Sequence, residues 1–572
     1  MKNTLNKSNP YWWEDRVGYI IYPSSFCDSN GDGVGDIPGI TSKLEYLHDL
    51  GIGLVWICPL FDSPMDDNGY DVRDYLKINP LFGTNEDFLK MLEKAHELDI
   101  AIVIDFVLNH TSDEHPWFKK AKEDPSSKER GYYLFRKGRW VDGKLIPPTN
   151  WKGYFSTSTW QRLGDSDDFF MHIFSARMPD VNWSNPELRE EYIKIANAYM
   201  DMGVDGFRLD ACAHLAKDMS MQDSTLPSDD EGNVFDVSKF SNRKELFEYL
   251  QEMKQRVFAP RNCLTIGEVG GGITPEESLK LSDREHGSIN MVFNFDTAWC
   301  NGGYGSIDKR DDEIRTDVIS LKFNFRKWWD TCHARAALPV YWCNHDHPRV
   351  MSMYGDKNYR KQSGKMLLAT LLFVYGVPFI YQGDELGVSN LDSHVPEDFF
   401  SDVGNKNEVA YLRRKGYPEE QIAHYLSHCS RVNARQPFPW KNAEFAGFSS
   451  VKPVLPMNND YLEGVNAEDE SKDPDSILNF AKHAIKLRKT PWIKDLLKFG
   501  DFSIVDYNHP DVFACMHEGN DRIVLLASFR PYDTYFGFYW PVQDVLLHNY
   551  QDTIFENHVF RLRPFEVLLL KV

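Results

Sequence analysis

The sequence predicts an α/β fold: a (β/α)8 TIM barrel with an inserted loop-rich domain after the third strand and a C-terminal antiparallel β-sandwich domain. Three observations predict it. Eight short apolar runs recur along the chain, amphipathic helical patterns separate most of them, and short alternating runs replace both after about residue 490. Continuous apolar runs are typical of strands buried on both faces of a parallel sheet, and eight of them alternating with helices favour a closed barrel.

The barrel strands are predicted from these apolar runs in chain order. They cover residues 17–26, 53–60, 101–109, 206–211, 263–269, 289–293, 338–344 and 378–381. Between them, patterns such as Asn85-Glu-Asp-Phe-Leu-Lys-Met-Leu place apolar residues three or four positions apart. That spacing indicates helices with one apolar face, as a barrel needs outside its strands.

Two stretches interrupt the alternation of strands and helices. Residues 110–182 are rich in Gly, Trp, Pro, Ser and charge and show little periodicity, and a loop of that length within a barrel should be a small inserted domain. A second excursion runs over about 384–473. We therefore expect the barrel at 1–109 and 183–490, the inserted domain at 110–182 and the C-terminal β domain at 491–572.

The composition restricts the class of partner. The 572 residues include 42% hydrophobic and 14% aromatic residues, and they carry a net charge of −21. This charge argues against nucleic acid and against an anionic membrane surface as partners. Aromatic residues in polar loops suit sugars, because the faces of a pyranose ring are apolar. We expect a small-molecule substrate and a monomer or homodimer.

The cysteines and the N-terminus bear on localisation. Nine cysteines are scattered without a C-x-x-C pair, and their odd number favours free, mostly buried thiols in a reducing compartment. The segment Met1-Lys-Asn-Thr-Leu-Asn-Lys7 lacks the apolar core of a signal peptide. No apolar run approaches the roughly 18 to 20 residues that span a bilayer. The expectation is a soluble, cytoplasmic protein.

Polar clusters follow four of the eight predicted strands. Strand three ends in Asn109-His110, strand four in Arg208-Leu-Asp210, strand five in Gly267-Glu268 and strand seven in Asn344-His-Asp346. Barrel enzymes carry their chemistry at the carboxyl ends of the strands. A structural role explains any one of these clusters, but four together favour an active site.

The carboxylates among these residues suit glycoside hydrolysis. Arg208 and Asp210 are two residues apart on one strand, so their side chains share a face, and the guanidinium favours an ionised acid. Two carboxyl groups facing one sugar bond are the minimum for a retaining glycosidase. Asp210 fits the nucleophile, and Glu268 fits the general acid/base, which must hold a proton to donate it. Asp346 is a third acid, suited to bind ring hydroxyls.

The chain resembles the α-amylase family of glycoside hydrolases (family 13) over almost its whole length. The motifs that carry the resemblance are Asp105-Phe-Val-Leu-Asn-His110, Gly206-Phe-Arg-Leu-Asp210, Gly267-Glu268 and Asn344-His-Asp346. The resemblance implies that Asp210 is the nucleophile, Glu268 the acid/base and Asp346 the transition-state stabiliser. It also implies that His110, Arg208 and His345 contact the glucose in the innermost subsite.

Three further motifs resemble the oligo-1,6-glucosidase and α-glucosidase branch of that family. They are Met178-Pro-Asp-Val-Asn-Trp183, Asp67-Asn-Gly-Tyr70 and Ser430-Arg-Val-Asn-Ala-Arg435. The resemblance implies that Asp67 and Arg431 hold the 4-hydroxyl side of a terminal glucose and close the pocket beyond it, which makes the enzyme exo-acting. Tyr70, Phe155 and Phe174 match aromatic positions around the same sugar, and ordinary loop packing is the alternative for Phe155.

The chain departs from that branch at three positions outside the three acids. Val432 replaces an Asp, His347 replaces a Gln, and Met353 stands where an Arg is common. These differences bear on the detail of the subsites and on the role of Arg431.

Ala211, directly after the nucleophile, bears on the linkage. In the branch a Val at this position goes with α-1,6 linkages and a smaller residue with α-1,4 linkages, and a small side chain leaves room beside the leaving glucose. We expect a retaining, exo-acting α-glucosidase that hydrolyses a small α-linked gluco-oligosaccharide or disaccharide from the non-reducing end, with α-1,4 preferred over α-1,6.

Several alternative functions stay open. One is an oligo-1,6-glucosidase. A trehalose-6-phosphate hydrolase needs a cationic cluster for the phosphate, and a sucrose isomerase carries an Arg-Leu-Asp-Arg-Asp loop; the sequence shows neither. Transfer of glucose to another sugar is open to any retaining enzyme. A non-catalytic family member is disfavoured because all three acids are present.

The segment Asp28-Ser-Asn30-Gly-Asp32-Gly-Val34-Gly-Asp36 places an oxygen ligand at every second position, counting the Val34 carbonyl. Such spacing wraps hard oxygen ligands around a cation, as in the first part of an EF-hand loop. The twelfth position is Gly39 rather than Glu, so this is not an EF-hand, and a metal-free polar turn is the alternative. The resemblance implies a structural Ca²⁺ and no organic cofactor. The ion would be held by the Val34 carbonyl and by the side chains of Asp28, Asn30, Asp32 and Asp36.

Overall fold

A computed structural model describes residues 5, 7–155, 158–270, 272–310, 313–391 and 403–572. Eight parallel strands form a nearly closed barrel, which confirms the predicted fold. The strands are β1 (Gly18–Ile21), β2 (Leu54–Ile57), β3 (Ala101–Val107), β4 (Gly206–Asp210), β5 (Leu264–Glu268), β6 (Met291–Phe293), β7 (Pro339–Val340) and β8 (Val377–Tyr381). They are ordered β6-β5-β4-β3-β2-β1-β8-β7, and the Phe293 and Tyr341 rings pack 5.2 Å apart across the seam between β6 and β7.

Helices surround the barrel and continue into the excursion. Those of six or more residues are Ile37–Ser42, Leu44–Leu50, Asn85–Glu97, Pro116–Glu123, Pro186–Met202, Glu245–Met253, Pro275–Ser282, Val318–Cys332, Arg360–Phe373, Val403–Lys415, Glu419–Cys429, Ala467–Lys472, Ile477–Arg488 and Pro491–Phe499. Their ends follow local sequence. Thr84 and Asp87 form a capping box at one helix, and Gly203, at φ 111°, ends the helix that precedes β4.

The register of the barrel brings the predicted active-site strands level with one another. Arg208 on β4 lies beside Asp105 on β3, and Leu209 lies beside Gly267 on β5. Every residue of β3 and β4 is buried. The carboxyl ends of three neighbouring strands therefore present charged side chains at one buried edge, where each charge needs a partner.

The predicted insertion after β3 forms its own small structure. A three-stranded antiparallel sheet has the order Phe135–Lys137, Asp168–Met171, Trp160–Arg162, and Arg139–Val141 pairs with Lys144–Ile146 in a hairpin. A separate apolar cluster that includes Trp151, Trp160 and Phe169 fills it. The His110–Asp180 bridge and the hydrogen bond from the Val181 N–H to the Asn109 carbonyl connect its end to the chain after β3, and Tyr133 pairs with Val181 within it.

The C-terminal module is an antiparallel β-sandwich. Its strands are β9 (Asp501–Ile504), β10 (Val512–Glu518), β11 (Arg522–Ser528), β12 (Thr534–Gly537), β13 (Asp544–His548), β14 (Ile554–Glu556), β15 (Val559–Leu562) and β16 (Val567–Lys571). Sheets β9-β10-β11-β16-β13 and β12-β15-β14 enclose an apolar cluster that includes Val524, Phe536 and Leu568. The alternating runs of the sequence did not predict strands β12, β13 and β14.

Two further expectations concern the chain as a whole. All nine cysteines are free thiols, and every one except Cys429 is buried. Within the described ranges, no helix is both long enough and apolar enough to cross a membrane. Residues 392–402 of the predicted excursion, and residues 1–4 and 6 of the N-terminal segment, lie outside the described ranges.

Candidate active site

Arg208 lies at the centre of three carboxylates at the carboxyl ends of β3, β4 and β5. Its Nη1 is 2.8 Å from Asp105 Oδ1 and 2.5 Å from Asp210 Oδ1, and its Nη2 is 2.9 Å from Glu268 Oε2. Arg208 is only 2% exposed, so water competes little for these contacts. One buried cation thus aligns the two carboxyl groups predicted to act as nucleophile and acid/base.

The backbone after β4 makes a second contact with the predicted acid. The Ala211 N–H donates to Glu268 Oε2 at 2.9 Å. Ala211 adopts the left-handed conformation, at φ 46° and ψ 28°, which L-residues seldom occupy. The turn after the predicted nucleophile therefore uses a strained residue to point an N–H at Glu268.

The charges around Asp210 couple its protonation to that of Glu268. Burial raises the pKa of Asp210 well above its usual range; Glu268 and Asp105 add to the effect, while Arg208 opposes it. For Arg208, burial acts to lower the pKa, but Asp105 and Glu268 outweigh it and keep the guanidinium charged. The pKa of Asp210 therefore depends on the charge of Glu268, as expected for two carboxyl groups that act on one substrate.

Asp346 is held by nitrogen donors from two loops. Its Oδ2 is 3.1 Å from His345 Nε2, and its Oδ1 accepts hydrogen bonds from Arg431 at 3.2 Å and Arg435 at 3.1 Å. Burial acts to raise the pKa of Asp346, but His345, Arg431 and Arg435 hold it well below its usual range. Asp346 is thus ionised at neutral pH and can accept hydrogen bonds from sugar hydroxyls.

Asp67 and Arg431 meet as the sequence motifs imply. Arg431 Nη2 donates to Asp67 Oδ1 at 2.6 Å, and Asp67 is 5% exposed. The same guanidinium lies 5.8 Å from the centre of the Phe155 ring. Arg431 therefore bridges two acids and an aromatic ring, an arrangement suited to close one side of a pocket.

Tyr70 links the Arg208 cluster to His345. Its hydroxyl donates to Asp105 Oδ2 at 3.0 Å and lies 2.6 Å from His345 Nε2. The His345 ring is stacked between Tyr70, at 5.5 Å, and Tyr22, at 6.1 Å. This packing fixes the imidazole beside Asp346 without any exposure to solvent.

His110 joins the predicted aromatic residues to the site. The His110 ring lies 5.3 Å from Phe174, whose ring lies 5.5 Å from Phe155. Burial lowers the pKa of His110 to about 3, with the charge of Lys217 adding to the effect, so the imidazole is neutral. All the predicted sugar contacts are thus joined by contacts at one end of the barrel.

A row of four aromatic rings extends from the buried His110 to the solvent-exposed surface. His110 contacts Phe174, Phe174 stacks on Tyr154 at 5.5 Å, and Tyr154 meets Phe235 at 5.3 Å. Tyr154 is 38% exposed and Phe235 48%. We call His110, Phe174, Tyr154 and Phe235 the aromatic wall. Burial raises the pKa of Tyr154, and the Glu268 charge adds to this, so the wall passes near the predicted acid.

Four residues of the site were not predicted. Arg435 lies in a quoted motif, but the pattern gives no sign that it binds Asp346. Lys217 is recognisable only as the single cation in Ala211-Cys-Ala-His-Leu-Ala-Lys217. Tyr154 and Phe235 are two of many loop aromatics, and nothing in the sequence distinguishes them.

The three departures from the branch motifs are accommodated by packing. Val432 lies in an apolar cluster with Ile422 and Leu426. His347 is buried and stacks on Tyr341 at 6.0 Å, and Met353 is 6% exposed. Each therefore has a structural reason to be apolar or aromatic in this chain.

The predicted metal loop is closed by its own hydrogen bonds. Asp28 accepts four, from the N–H groups of Asn30, Gly31 and Gly33 and from the Ser449 hydroxyl. Asp36 accepts hydrogen bonds from Ser29 and caps the helix Ile37–Ser42 through the Gly39 N–H. In the described part of the chain, no group of three or more His, Cys, Asp or Glu is arranged to hold a metal ion. The side chains of Asp28 and Asp36 thus already have hydrogen-bond donors, and the calcium site stays a prediction.

Comparison with known proteins finds relatives over the whole chain. The profile of the α-amylase catalytic domain matches residues 20–495. The chain is 35% identical over 570 residues to an oligo-1,6-glucosidase of Bacillus cereus, covering 98% of this chain and 99% of the relative. It is 35% identical over 565 residues to an α-glucosidase of Pediococcus pentosaceus, covering 97% and 98%.

Solved structures agree in fold over the same length. A trehalose-6-phosphate hydrolase of Bacillus licheniformis superposes with a TM-score of 0.89 at 32% identity, covering 98% of this chain and all of that one. An isomaltulose synthase from Klebsiella sp. LX3 superposes with a TM-score of 0.89 at 32% identity, covering 99% and 100%.

Proposed function

The chain belongs to the α-amylase family of glycoside hydrolases, and from this premise we propose that it is a retaining, exo-acting α-glucosidase. The observation that carries this function is the buried Arg208 that binds both Asp210 and Glu268, with Asp346 ionised nearby. A retaining mechanism needs two carboxyl groups on one sugar bond, one as nucleophile and one as proton donor.

The proposed reaction has two steps. Asp210 attacks the anomeric carbon of the terminal glucose while Glu268 gives its proton to the leaving oxygen, so a glucosyl–aspartate ester forms as the glycosidic bond breaks. Glu268 then takes a proton from water, the water oxygen attacks the anomeric carbon, and the ester bond to Asp210 breaks. The glucose is released in the α-configuration after two inversions.

Exo action is supported by the closed side of the pocket. The ion pair between Arg431 and Asp67, at 2.6 Å, lies against Phe155 and Asp346. A chain that continued past the terminal glucose on this side would have to break a charge pair that is mostly buried. We infer that the Arg431–Asp67 pair restricts cleavage to one glucose from the non-reducing end.

For the linkage, we propose a preference for short α-1,4-linked substrates over α-1,6-linked ones. The support is Ala211, whose small side chain follows the nucleophile and whose N–H contacts Glu268. The relatives carry the names of both oligo-1,6-glucosidases and α-glucosidases. Oligo-1,6-glucosidase, trehalose-6-phosphate hydrolase and glucosyl-transferring activity are the competing assignments.

One substrate panel tests these assignments together. We expect hydrolysis of p-nitrophenyl α-glucoside, and a higher kcat/KM for maltose than for isomaltose, sucrose, trehalose or trehalose-6-phosphate. The first product seen by NMR should be the α-anomer. Asp210→Asn should abolish activity on every member. A β-anomer would contradict the nucleophile, and equal inactivity of wild type and Asp210→Asn would contradict the enzyme assignment.

We propose that Ca²⁺ stabilises the loop 28–36. The regular spacing of residues with oxygen ligands supports the ion, while the hydrogen bonds that engage Asp28 and Asp36 count against it. If the ion is bound, metal analysis should find one equivalent and chelation should lower Tm. An unchanged Tm with no metal in the purified protein would reject the site.

We also propose that the protein acts in the cytoplasm. The nine free thiols support a reducing compartment.

A further inference from the structure

Lys217 is a buried lysine that the proposed reaction does not use. It is 5% exposed and lies in the loop after β4. Its Nζ is 2.5 Å from Asn109 Oδ1, 2.5 Å from the His214 carbonyl and 3.0 Å from Asp180 Oδ2. The ammonium thus donates two hydrogen bonds and forms an ion pair with the Asp180 carboxylate.

This lysine fixes the orientation of the Asn109 amide. Because an ammonium group only donates, the amide atom that faces Lys217 is the carbonyl oxygen. The amide nitrogen then faces Asp180 Oδ1 at 3.1 Å and His110 Nδ1 at 3.2 Å. The flipped amide would set its NH₂ against the ammonium and its oxygen against the Asp180 carboxylate, so two full charges exclude it.

The oriented amide in turn determines the tautomer of His110. Asn109 donates to Nδ1, so in the neutral ring Nδ1 carries the lone pair and Nε2 carries the proton. The ring is neutral because burial lowers the pKa of His110 to about 3; Lys217 adds to this, and the Tyr70 carbonyl acts weakly in the opposite sense. Two buried residues thus impose one of two possible tautomers.

The remaining nitrogen of His110 needs an acceptor. His110 is 1% exposed, and within the described part of the chain its Nε2 has no partner at hydrogen-bond geometry. The Tyr70 carbonyl favours the charged ring but does not meet that geometry with Nε2. A buried N–H without a partner is costly unless a ligand supplies the acceptor. His110 follows β3 on the face that carries Asp105 and Arg208, and its ring begins the aromatic wall.

We propose that Lys217 is a positioning residue: acting through Asn109, it sets His110 as the Nε2–H tautomer, which donates a hydrogen bond to a hydroxyl oxygen of the bound glucose. This inference rests on the proposed function, because the sugar is the acceptor. It also assigns the donor and the acceptor of the hydrogen bond between His110 and glucose. The sugar hydroxyl accepts from His110 and must donate its own proton to another group.

Histidine NMR tests the tautomer without any assay of activity. In the full chain labelled with ¹⁵N-histidine, the His110 resonances are identified by their loss in His110→Gln. We expect an unprotonated Nδ1 and a protonated Nε2 throughout the neutral range. A protonated Nδ1 in the wild type overturns the assignment even if every α-glucoside is hydrolysed, so its failure is distinct from failure of the proposed function.

Removal of the lysine tests its role. Lys217→Met removes the donor to Asn109. The double variant Lys217→Met, Asp180→Asn removes both members of the ion pair, so no unpaired charge is left buried. Without Lys217 the pKa of the buried Asp180 rises further, so its carboxyl takes up a proton and no longer excludes the flipped amide. In whichever variant folds, we expect a mixture of His110 tautomers and a kcat/KM on p-nitrophenyl α-glucoside about tenfold lower, the effect of one misplaced hydrogen bond. A single Nε2–H tautomer in these variants overturns the role of Lys217.

A matched variant and altered sugars complete the experiment. Lys239→Met removes a lysine of the same loop that pairs with Asp218 at 3.0 Å, and it should leave the tautomer and kcat/KM unchanged. Fluorine can accept but not donate, whereas hydrogen does neither. At the contacted position, the ratio of kcat/KM for the fluoro glucoside to kcat/KM for the deoxy glucoside should be higher in the wild type than in Lys217→Met. If no position shows this preference, the donor role is wrong.

Discussion

The surroundings of Asp210 and Glu268 distinguish the carboxyl that attacks from the one that donates a proton. Arg208 holds both acids, at 2.5 and 2.9 Å, so neither is distinguished by lacking a cation. Glu268 also accepts the Ala211 N–H, and it is the more exposed, at 25% of its side chain against 9% for Asp210. The more accessible carboxyl is the one that can meet both the leaving oxygen and the incoming water.

Glu268→Gln should separate the two roles by leaving group. Glucosides with poor leaving groups need the proton, so kcat/KM on maltose should fall by about 100- to 10,000-fold. In α-glucosyl fluoride the fluoride ion leaves without protonation, so kcat/KM on this substrate should fall far less. Steady-state kinetics on both substrates makes the measurement, with Glu285→Gln at the surface as the control. Equal losses on maltose and the fluoride would rule out an acid role.

The same variant should change the pH profile in a defined direction. The negative charge of Glu268 raises the pKa of Asp210, so its removal lowers that pKa and moves the acid limb of kcat/KM to lower pH. The alkaline limb, where the pair loses its proton, should disappear. Profiles on maltose, which needs the proton, check the alkaline limb, and profiles on α-glucosyl fluoride check the acid limb. An acid limb that moves to higher pH would contradict the coupling of these two carboxyls.

Ala211→Val should change linkage preference and stability together. The added methyl groups fill the space beside the leaving glucose, so the ratio of kcat/KM for isomaltose to maltose should rise. A β-branched residue at φ 46° is strained, at a cost of about 1 to 2 kcal/mol, so Tm should fall. Ala211→Gly is the control, because glycine tolerates this backbone and should keep Tm. An unchanged ratio in Ala211→Val would remove the support for the α-1,4 preference.

Some contacts of the site join residues that the sequence motifs identify, and others join residues that only the fold brings together. The pairs Arg208–Asp210 and Arg431–Asp67 join residues already singled out from motifs. Lys217 and Asn109 are 108 residues apart, and no spacing rule connects them. The left-handed conformation of Ala211 was also beyond prediction, because alanine has no preference for it.

At the scale of structural elements, two loops extend the site beyond the barrel. Tyr154 comes from the inserted domain, and Phe235 comes from the loop between β4 and the next helix. Together with Phe174 they continue the buried ring of His110 out to solvent. Exposed aromatic rings beside a sugar pocket offer a stacking face to the second sugar of a substrate.

Phe235→Ala should weaken binding of the leaving sugar only. Loss of one stacking face should lower kcat/KM on maltotriose by about threefold to tenfold, mainly through KM. α-Glucosyl fluoride carries no second sugar and should react as before. Phe323→Ala, which removes an aromatic ring that is 60% exposed on the helix Val318–Cys332, is the matched control. A loss on the fluoride as large as on maltotriose would mean that Phe235 only supports the fold.

The elements themselves were largely predictable. Continuous apolar runs predicted all eight barrel strands, because strands buried on both faces are mostly apolar, with charged residues such as Asp105 and Arg208 only at the site. The seventh run was too long: 338–344 contains only the strand Pro339–Val340, since Trp342 turns to donate to the Leu367 carbonyl. Alternating runs predicted β9, β10 and β11 but not the short strand β14.

At the scale of the whole molecule, the C-terminal sandwich is joined to the barrel by side chains that donate to backbone carbonyls. Lys322, on the helix Val318–Cys332, donates to the carbonyls of Asp506 at 2.7 Å and His509 at 2.8 Å. Arg326 on the same helix donates to the Phe502 carbonyl at 2.9 Å, and His517 of β10 lies 3.0 Å from the Phe373 carbonyl. The two units therefore share polar contacts as well as apolar surface.

Lys322→Met should destabilise this junction without affecting the chemistry. Lys322 is fully buried, and its loss leaves two carbonyls without their donor, at a cost of about 2 to 4 kcal/mol. We expect Tm to fall by a few degrees while kcat/KM on maltose at 25 °C stays within about twofold. Lys90→Met removes an exposed ion pair with Glu86 and should leave Tm nearly unchanged. Equal Tm values for the two variants would show that the Lys322 contacts do not hold the sandwich to the barrel.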